Sequence, residues 1–202
     1  MSGVAAVILA AGEGRRMGGP NKLLAEIDGV SLIRRVAEGV TASRASSIIV
    51  VTGHRREAIT AALAGLNMAE VHNPDFARGM STSLRAGIAF IGVDVDGALI
   101  LLGDMPFVDA ETIDRIIGAF EACGGTAIIA PVYEGRRGNP VLWPRRFFAA
   151  LMAIQGDKGA RDLIAMHAAE IIEIAAGEGV ARDLDTPEAV AAAGGRLRPD
   201  AP

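Results

Sequence analysis

An uncharged run of branched and small apolar residues, Val4-Ala5-Ala6-Val7-Ile8-Leu9, empties into Ala10-Ala11-Gly12-Glu13-Gly14-Arg15-Arg16-Met17-Gly18-Gly19-Pro20-Asn21-Lys22, where glycines alternate with cations. A short apolar run of this kind is a strand covered on both faces, as a parallel sheet requires. The small residues behind it let bare backbone N–H groups approach an anion, and Gly12, Gly14, Gly18 and Gly19 can take positive φ values that other residues resist. Arg15, Arg16 and Lys22 add charge. A nucleoside triphosphate concentrates several negative charges in a small volume, and a chain of net charge -4 has to answer them locally, with cations and a metal ion.

Two other phosphate loops are excluded. A Walker loop needs a Gly-Lys pair, which this loop lacks. The dinucleotide fingerprint needs a third glycine three residues after the second, and here it falls one residue late, at Gly18. Gly18-Gly19-Pro20 also stops a helix from running through, so the loop is long and wraps its ligand.

The stretch LAAGEGRRMGGPNKLL resembles the L-A-[AG]-G-x-[SG]-x-R-M-G-x-x-K signature of nucleotidyltransferases with a GT-A-like fold. Within these it is most similar to the molybdenum cofactor cytidylyltransferases and their MobA-like relatives. The resemblance implies a doubly wound, mainly parallel sheet with helices on both faces. It also implies a nucleotide site on Leu9, Ala10, Ala11, Gly12, Gly14, Arg15, Arg16 and Lys22, with Arg16 and Lys22 catalytic.

The 202 residues suffice for one α/β domain, expected over 1–193, with a Gly/Pro/Arg-rich tail expected to fray from Gly194. With 50% hydrophobic residues the chain is not disordered, yet no apolar run reaches the ~18 residues of a membrane span. The first residues lack the basic start of a signal peptide, so a cytoplasmic protein is expected. Cys123 is the single cysteine and is expected to pack at a helix end. Without a basic tract, and with 4% aromatic residues, the chain is not expected to bind nucleic acid.

Farther along, Ser31 is placed to cap a helix over 32–40, and Ser47–Thr52 reads as a second strand ending at Gly53-His54-Arg55. Ligands of α/β sheets sit beyond the carboxyl ends of parallel strands, so Thr52, Gly53 and His54 face the site. After a short strand at 69–72, Asn73-Pro74 is a turn and Gly79 a close backbone approach. Ser81 or Ser83 starts a helix whose free N–H groups and hydroxyls suit a base edge or ribose. The run Gly97–Leu102 stops at Gly103-Asp104-Met105-Pro106, and a carboxylate at the tip of a central strand suits a hard cation such as Mg²⁺. Asp109 opens a helix over 109–123. Residues 126–144 hold two strand-like halves around a Gly-rich turn, read as a hairpin or paired insertion with Trp143 packed, and residues 145–153 read as a helix.

The resemblance adds roles. It assigns Mg²⁺ binding to Asp104 and, through the element Asp183-Leu184-Asp185-Thr186-Pro187, to Asp185, with Asp183 as a helper. It places the acceptor against Met105, Pro106, Gly138, Asn139 and Pro140, and against Asp157, Gly159 and Arg161 of a G-D-x-G-A-R-like element. It implies CTP and molybdopterin as substrates, pyrophosphate as product, and transient contact with a molybdenum hydroxylase. Transfer of GMP or of a sugar-phosphate nucleotide stays open, as does a non-catalytic cofactor-binding or chaperone module.

Overall fold

The structure is a computed structural model that describes residues 3–13, 21–156 and 160–197. In chain order the strands are β1 (Val4–Ala10), β2 (Glu26–Ile27), β3 (Val30–Ser31), β4 (Ser47–Thr52), β5 (Ala69–His72), β6 (Gly97–Leu102), β7 (Ile128–Tyr133), β8 (Arg136–Arg137), β9 (Val141–Pro144), β10 (Ile171–Ala175) and β11 (Gly195–Arg196). The helices are α1 (Leu32–Thr41), α2 (Arg56–Ala62), α3 (Met80–Phe90), α4 (Ala110–Ala122), α5 (Phe148–Ala153), α6 (Arg161–Met166) and α7 (Pro187–Ala192).

The main sheet runs β10-β7-β9-β6-β1-β4-β5, with β8 on β7. Around β1 it is parallel: Ala10 stands opposite Thr52, and Leu9 opposite both Val51 and Leu102. This register decides where the site lies, because it brings the loops after β1, β4 and β6 out at one edge. The β9 strand is antiparallel to β6 and β7, and β7–β8 is a hairpin turned by Glu134 and Gly135 with φ of 47° and 75°. A primed turn of this kind follows the right-handed strand twist.

Period-two alternation along β1 sends its side chains to two cores. Val4, Ala6, Ile8 and Ala10 pack with Ile33, Val36 and Val40 of α1, Ile59 of α2, and Ile113, Ile116, Ile117 and Phe120 of α4. Ala5 and Val7 pack on the other face with Leu84 and Ile88 of α3, Leu151 of α5 and Leu163 of α6. The doubly wound architecture expected above is present. Trp143 is buried in the second core, where it packs. A third, smaller core joins the β11-β2-β3 sheet to α7 through Ala25, Ile27, Leu32, Leu184 and Val190.

Four local expectations change. Ser31 stands at the N-cap of α1 but its side chain makes no capping bond. The start of α3 is Gly79, at φ 110° and ψ 167°, where a side chain would be strained, so Ser81 and Ser83 lie buried inside the first turn. The helix read over 145–153 is a 3-10 turn, Arg145–Phe147, followed by α5. Within the tail expected from Gly194, Gly195 and Arg196 pair with β2 as β11 beside the third core; residues 198–202 lie outside the described ones.

Candidate active site

The site is built at the edge where β1, β4 and β6 end. Lys22 opens a 3-10 turn, Lys22–Leu24, which buried Asn21 caps by accepting the Leu23 N–H at 3.0 Å. The turn fixes the root of a long side chain, and Lys22 Nζ donates to both Asp104 Oδ2 and Asp185 Oδ1. Asp104 stands two residues beyond β6, after Gly103. Asp185 arrives by a longer route, after the 3-10 turn Glu178–Ala181, and the Leu184 N–H donates to the Asp104 carbonyl at 3.0 Å. That backbone bond ties the two carboxylate-bearing loops together. Thr186 then caps α7, accepting the Ala189 N–H at 3.2 Å with Pro187 in the first turn.

The electrostatics follow from two carboxylates sharing one ammonium in a largely buried place. Burial disfavours charge on Lys22, but Asp104 and Asp185 outweigh it and raise its pKa. Burial also raises the pKa of Asp104 against the pull of Lys22, with Asp185 adding repulsion. The two directions agree, since the cluster holds one more negative charge than positive and favours any added cation.

Asp104 Oδ1 is buried without a hydrogen-bond partner among the described residues, and so are Asn21 Nδ2 and His54 Nδ1. All three sit on the loops of this edge. Buried polar atoms are ordinarily satisfied, so these three orphans at one rim are atoms that water or a ligand would complete. Asp104 and Asp185 suit a hard divalent ion: the orphaned carboxylate oxygen is a ready ligand, and the Lys22 ammonium shows that the pair accepts a cation. No cluster of three or more His, Cys, Asp or Glu fit to hold a metal occurs among the described residues, so an ion held by Asp104 and Asp185 would need further oxygen ligands from water or phosphate.

The remaining expected site residues fall into three groups. Ala11 is buried and Gly12 exposed beyond β1, with the His54 N–H donating to the Ala11 carbonyl at 3.1 Å. Gly53 and Gly103 permit close approach, since a Cβ would stand 2.8 Å from that of Ala11 and 3.0 Å from the Leu9 carbonyl respectively. Leu9 and Ala10 are strand residues that set the edge. Second, Thr52, Asn73 and Ser83 build the rim from within. Thr52 Oγ1 donates to Glu70 at 3.0 Å, and Asn73 Nδ2 donates to Thr82 Oγ1 at 2.8 Å and Ser83 Oγ at 3.0 Å. Gly14, Arg15 and Arg16 lie outside the described residues, as do Asp157 and Gly159.

The third group is on the acceptor side. Met105 is buried and Pro106 half-buried directly after Asp104. Gly138 is pressed against the turn that leads to Asp185: a Cβ there would stand 2.0 Å from the Val180 carbonyl, which accepts the Asn139 N–H at 2.8 Å. Asn139 and Pro140 are joined by a cis peptide bond. Arg161 is exposed at the first position of α6. Sequence reasoning overlooked Asn21, and also Arg182, whose guanidinium carbon lies 4.4 Å from the Phe107 ring centroid. The Pro-Asn-Lys spelling before a short turn was the available signal for Asn21.

The MobA-like NTP transferase domain matches residues 6–171, most of the described sheet and both loops after β1 and β6. The chain belongs to the MobA-like NTP transferase family. Over 189 residues it is 29% identical to the molybdenum cofactor cytidylyltransferase of Escherichia coli K12, covering 93% of this chain and 94% of that protein. The bifunctional protein GlmU of Sorangium cellulosum is 33% identical over 130 residues, or 61% of this chain, and the match spans 27% of that protein's length. The crystal structure of Rv0371c from Mycobacterium tuberculosis H37Rv superposes with a TM-score of 0.85 at 26% identity, covering 96% of this chain and 98% of that one. The same protein in complex with manganese gives 0.79 at 25% identity, covering 95% and 97%. Membership of this family makes the loop after β1, which ends in Lys22, and the rim around Asp104 the place to look for chemistry.

Proposed function

We propose that the chain transfers CMP from CTP to a terminal phosphate of molybdopterin and releases pyrophosphate. The observation that carries this reading is the convergence of Lys22, Asp104 and Asp185 at the carboxyl edge of a MobA-like sheet. The choice of CTP and molybdopterin is supported by the similarity to the Escherichia coli cytidylyltransferase along nearly the whole of both chains.

An acceptor phosphate oxygen attacks the α-phosphorus of the nucleotide, the bond to the β-phosphate oxygen breaks, and pyrophosphate leaves with that electron pair. No covalent intermediate on the protein is required. The chain's work is positioning and charge. Loop amides around Gly12, together with Arg16 and Lys22, hold the triphosphate, and the rim built by Asn73, Thr82 and Ser83 borders the base. Gly138 and Asn139, fastened to the turn before Asp185, face the acceptor, as does Arg161 at the start of α6. Asp104 and Asp185 would hold a divalent ion such as Mg²⁺, which would neutralise charge on the phosphates. Manganese in the related Rv0371c structure supports a divalent ion here.

The test is pyrophosphate release by purified protein with each of the four NTPs and Mg²⁺, with and without molybdopterin. CTP with molybdopterin is expected to win. A rim shaped for a pyrimidine leaves a purine's buried polar groups unpaired, at about 1–3 kcal/mol each. Equal turnover of GTP would overturn the cytidylyl assignment and leave nucleotidyl transfer standing. Nucleotide binding without pyrophosphate release in any combination would favour a carrier of finished cofactor.

A further inference from the structure

We propose that Lys22 is the resident cation of the Asp104–Asp185 pair, so that a divalent metal and a triphosphate enter this site together and each binds poorly without the other. The inference rests on the metal reading of the two carboxylates given above, but not on which base or acceptor the site takes.

Lys22 was expected among the triphosphate ligands, yet its Nζ donates to both carboxylates. The arrangement is built, because each of the three groups is held by its own backbone. The Lys22–Leu24 turn is capped by Asn21 and pinned by buried Leu23. Asp104 follows β6, and Asp185 is carried on a loop fastened to the Asp104 carbonyl by the Leu184 N–H. The lysine side chain is 17% exposed and the Asp104 side chain 13%, so water screens the pair poorly.

Two half-buried carboxylates side by side repel, and a cation between them relieves that repulsion. In the structure the ammonium does so. A metal ion arriving alone must displace the ammonium from both of its carboxylate partners, which weakens metal binding. An arriving triphosphate changes the balance twice. Its oxygens give the ammonium a new partner at the end of a flexible four-carbon stem, and they bring ligands that complete a metal's shell. Release of Lys22 toward the phosphates and entry of the metal between the carboxylates become one event. The coupling is reciprocal, as any coupling of two binding equilibria must be. The sequence pattern could not show this, because a lysine in a phosphate loop gives no sign of where it rests when the loop is empty.

The experiment titrates Mn²⁺ into nucleotide-free protein, followed by electron spin resonance of the free ion and by thermal melts. The proteins are the wild type, Lys22→Met, Lys22→Gln and Lys22→Arg, each checked for folding by circular dichroism. Methionine and glutamine are one atom shorter than lysine, keep most of its unbranched stem and remove its charge, so either variant serves if the other fails to fold. Both are expected to bind Mn²⁺ at least tenfold more tightly than the wild type and to gain a melting shift with Mn²⁺ alone. Lys22→Arg keeps a cation in place and should behave as the wild type. Adding Asp104→Asn to Lys22→Met should erase the gain.

Both neutral variants should also lose affinity for CTP, although they hold the metal better. Mn²⁺ affinity in the neutral variants equal to or below that of the wild type overturns the proposal, even if pyrophosphate release is metal-dependent and the proposed function stands. Tighter Mn²⁺ binding in a protein that releases pyrophosphate from no NTP would instead keep the resident-cation role and remove the transferase reading.

Discussion

Asp104 carries two obligations with one side chain: one oxygen accepts from Lys22, and the other is buried without a partner among the described residues. An orphaned carboxylate oxygen costs free energy unless a ligand repays it, which makes Asp104 a poor choice for a purely structural residue. If Asp104 and Asp185 share one ion, Asp104→Asn and Asp185→Asn should each abolish most pyrophosphate release, and the double variant should be little worse than either. Groups that act as one unit show this non-additivity. Folding should survive, because neutralising one carboxylate relieves repulsion and leaves Lys22 with a charged partner; melts without metal will show it. Losses that add fully would mean that the two carboxylates act separately. Asp185 could be assigned from its resemblance to a motif, whereas the contact with Lys22 could not, since the lysine and the two aspartates are 82 and 163 positions apart.

At the scale of single elements, sequence reads well where the signal is local. Asp109 was legible as the start of α4, and it does accept the Thr112 N–H at 2.8 Å. That bond is the leading cause of a lowered Asp109 pKa. The folded state therefore binds this proton less readily than the unfolded one, so the cap's contribution is complete above the unfolded value of 3.8 and is lost as pH falls through the lower, folded value. Asp109→Ala should cost about 0.5–2 kcal/mol at neutral pH, and its melting deficit should shrink in acid. A deficit that stays constant from neutral pH down to about pH 3, beneath the usual aspartate value, would remove the charge from the explanation. The start of α3 shows the opposite case. Ser81 and Ser83 looked like caps, but Gly79 takes the position because the chain must turn there at positive φ, and the hydroxyls of Thr82 and Ser83 bond the Asn73 side chain nine and ten residues away.

Across the whole molecule, the third core joins the segments that carry Lys22 and Asp185. Ala25 and Ile27 follow the Lys22 turn, Leu184 precedes Asp185, and β11 closes over them. Leu184→Ala should cost about 2–5 kcal/mol, and it should also weaken metal binding, because the cavity loosens the loop that brings Asp185 to Lys22. Unchanged metal affinity in a destabilised variant would mean that the third core supports the fold alone. The sequence by itself determined the parallel sheet, its two buried faces and the edge at which ligands gather. Those properties follow from local composition: branched apolar runs, helical spacing and glycines at strand ends, as in Val4–Ala10 and Gly97–Leu102. It also spelled out Lys22, Asp104 and Asp185 one by one. Tertiary structure decided their relation. Whether a lysine meets a phosphate or two carboxylates depends on the β1–β6 register, on a backbone bond from Leu184 to Asp104, and on a tail strand that reads as a frayed end until β2 supplies its partner. Each of these is a contact between distant segments, and no local pattern encodes the distance between segments that only packing brings together.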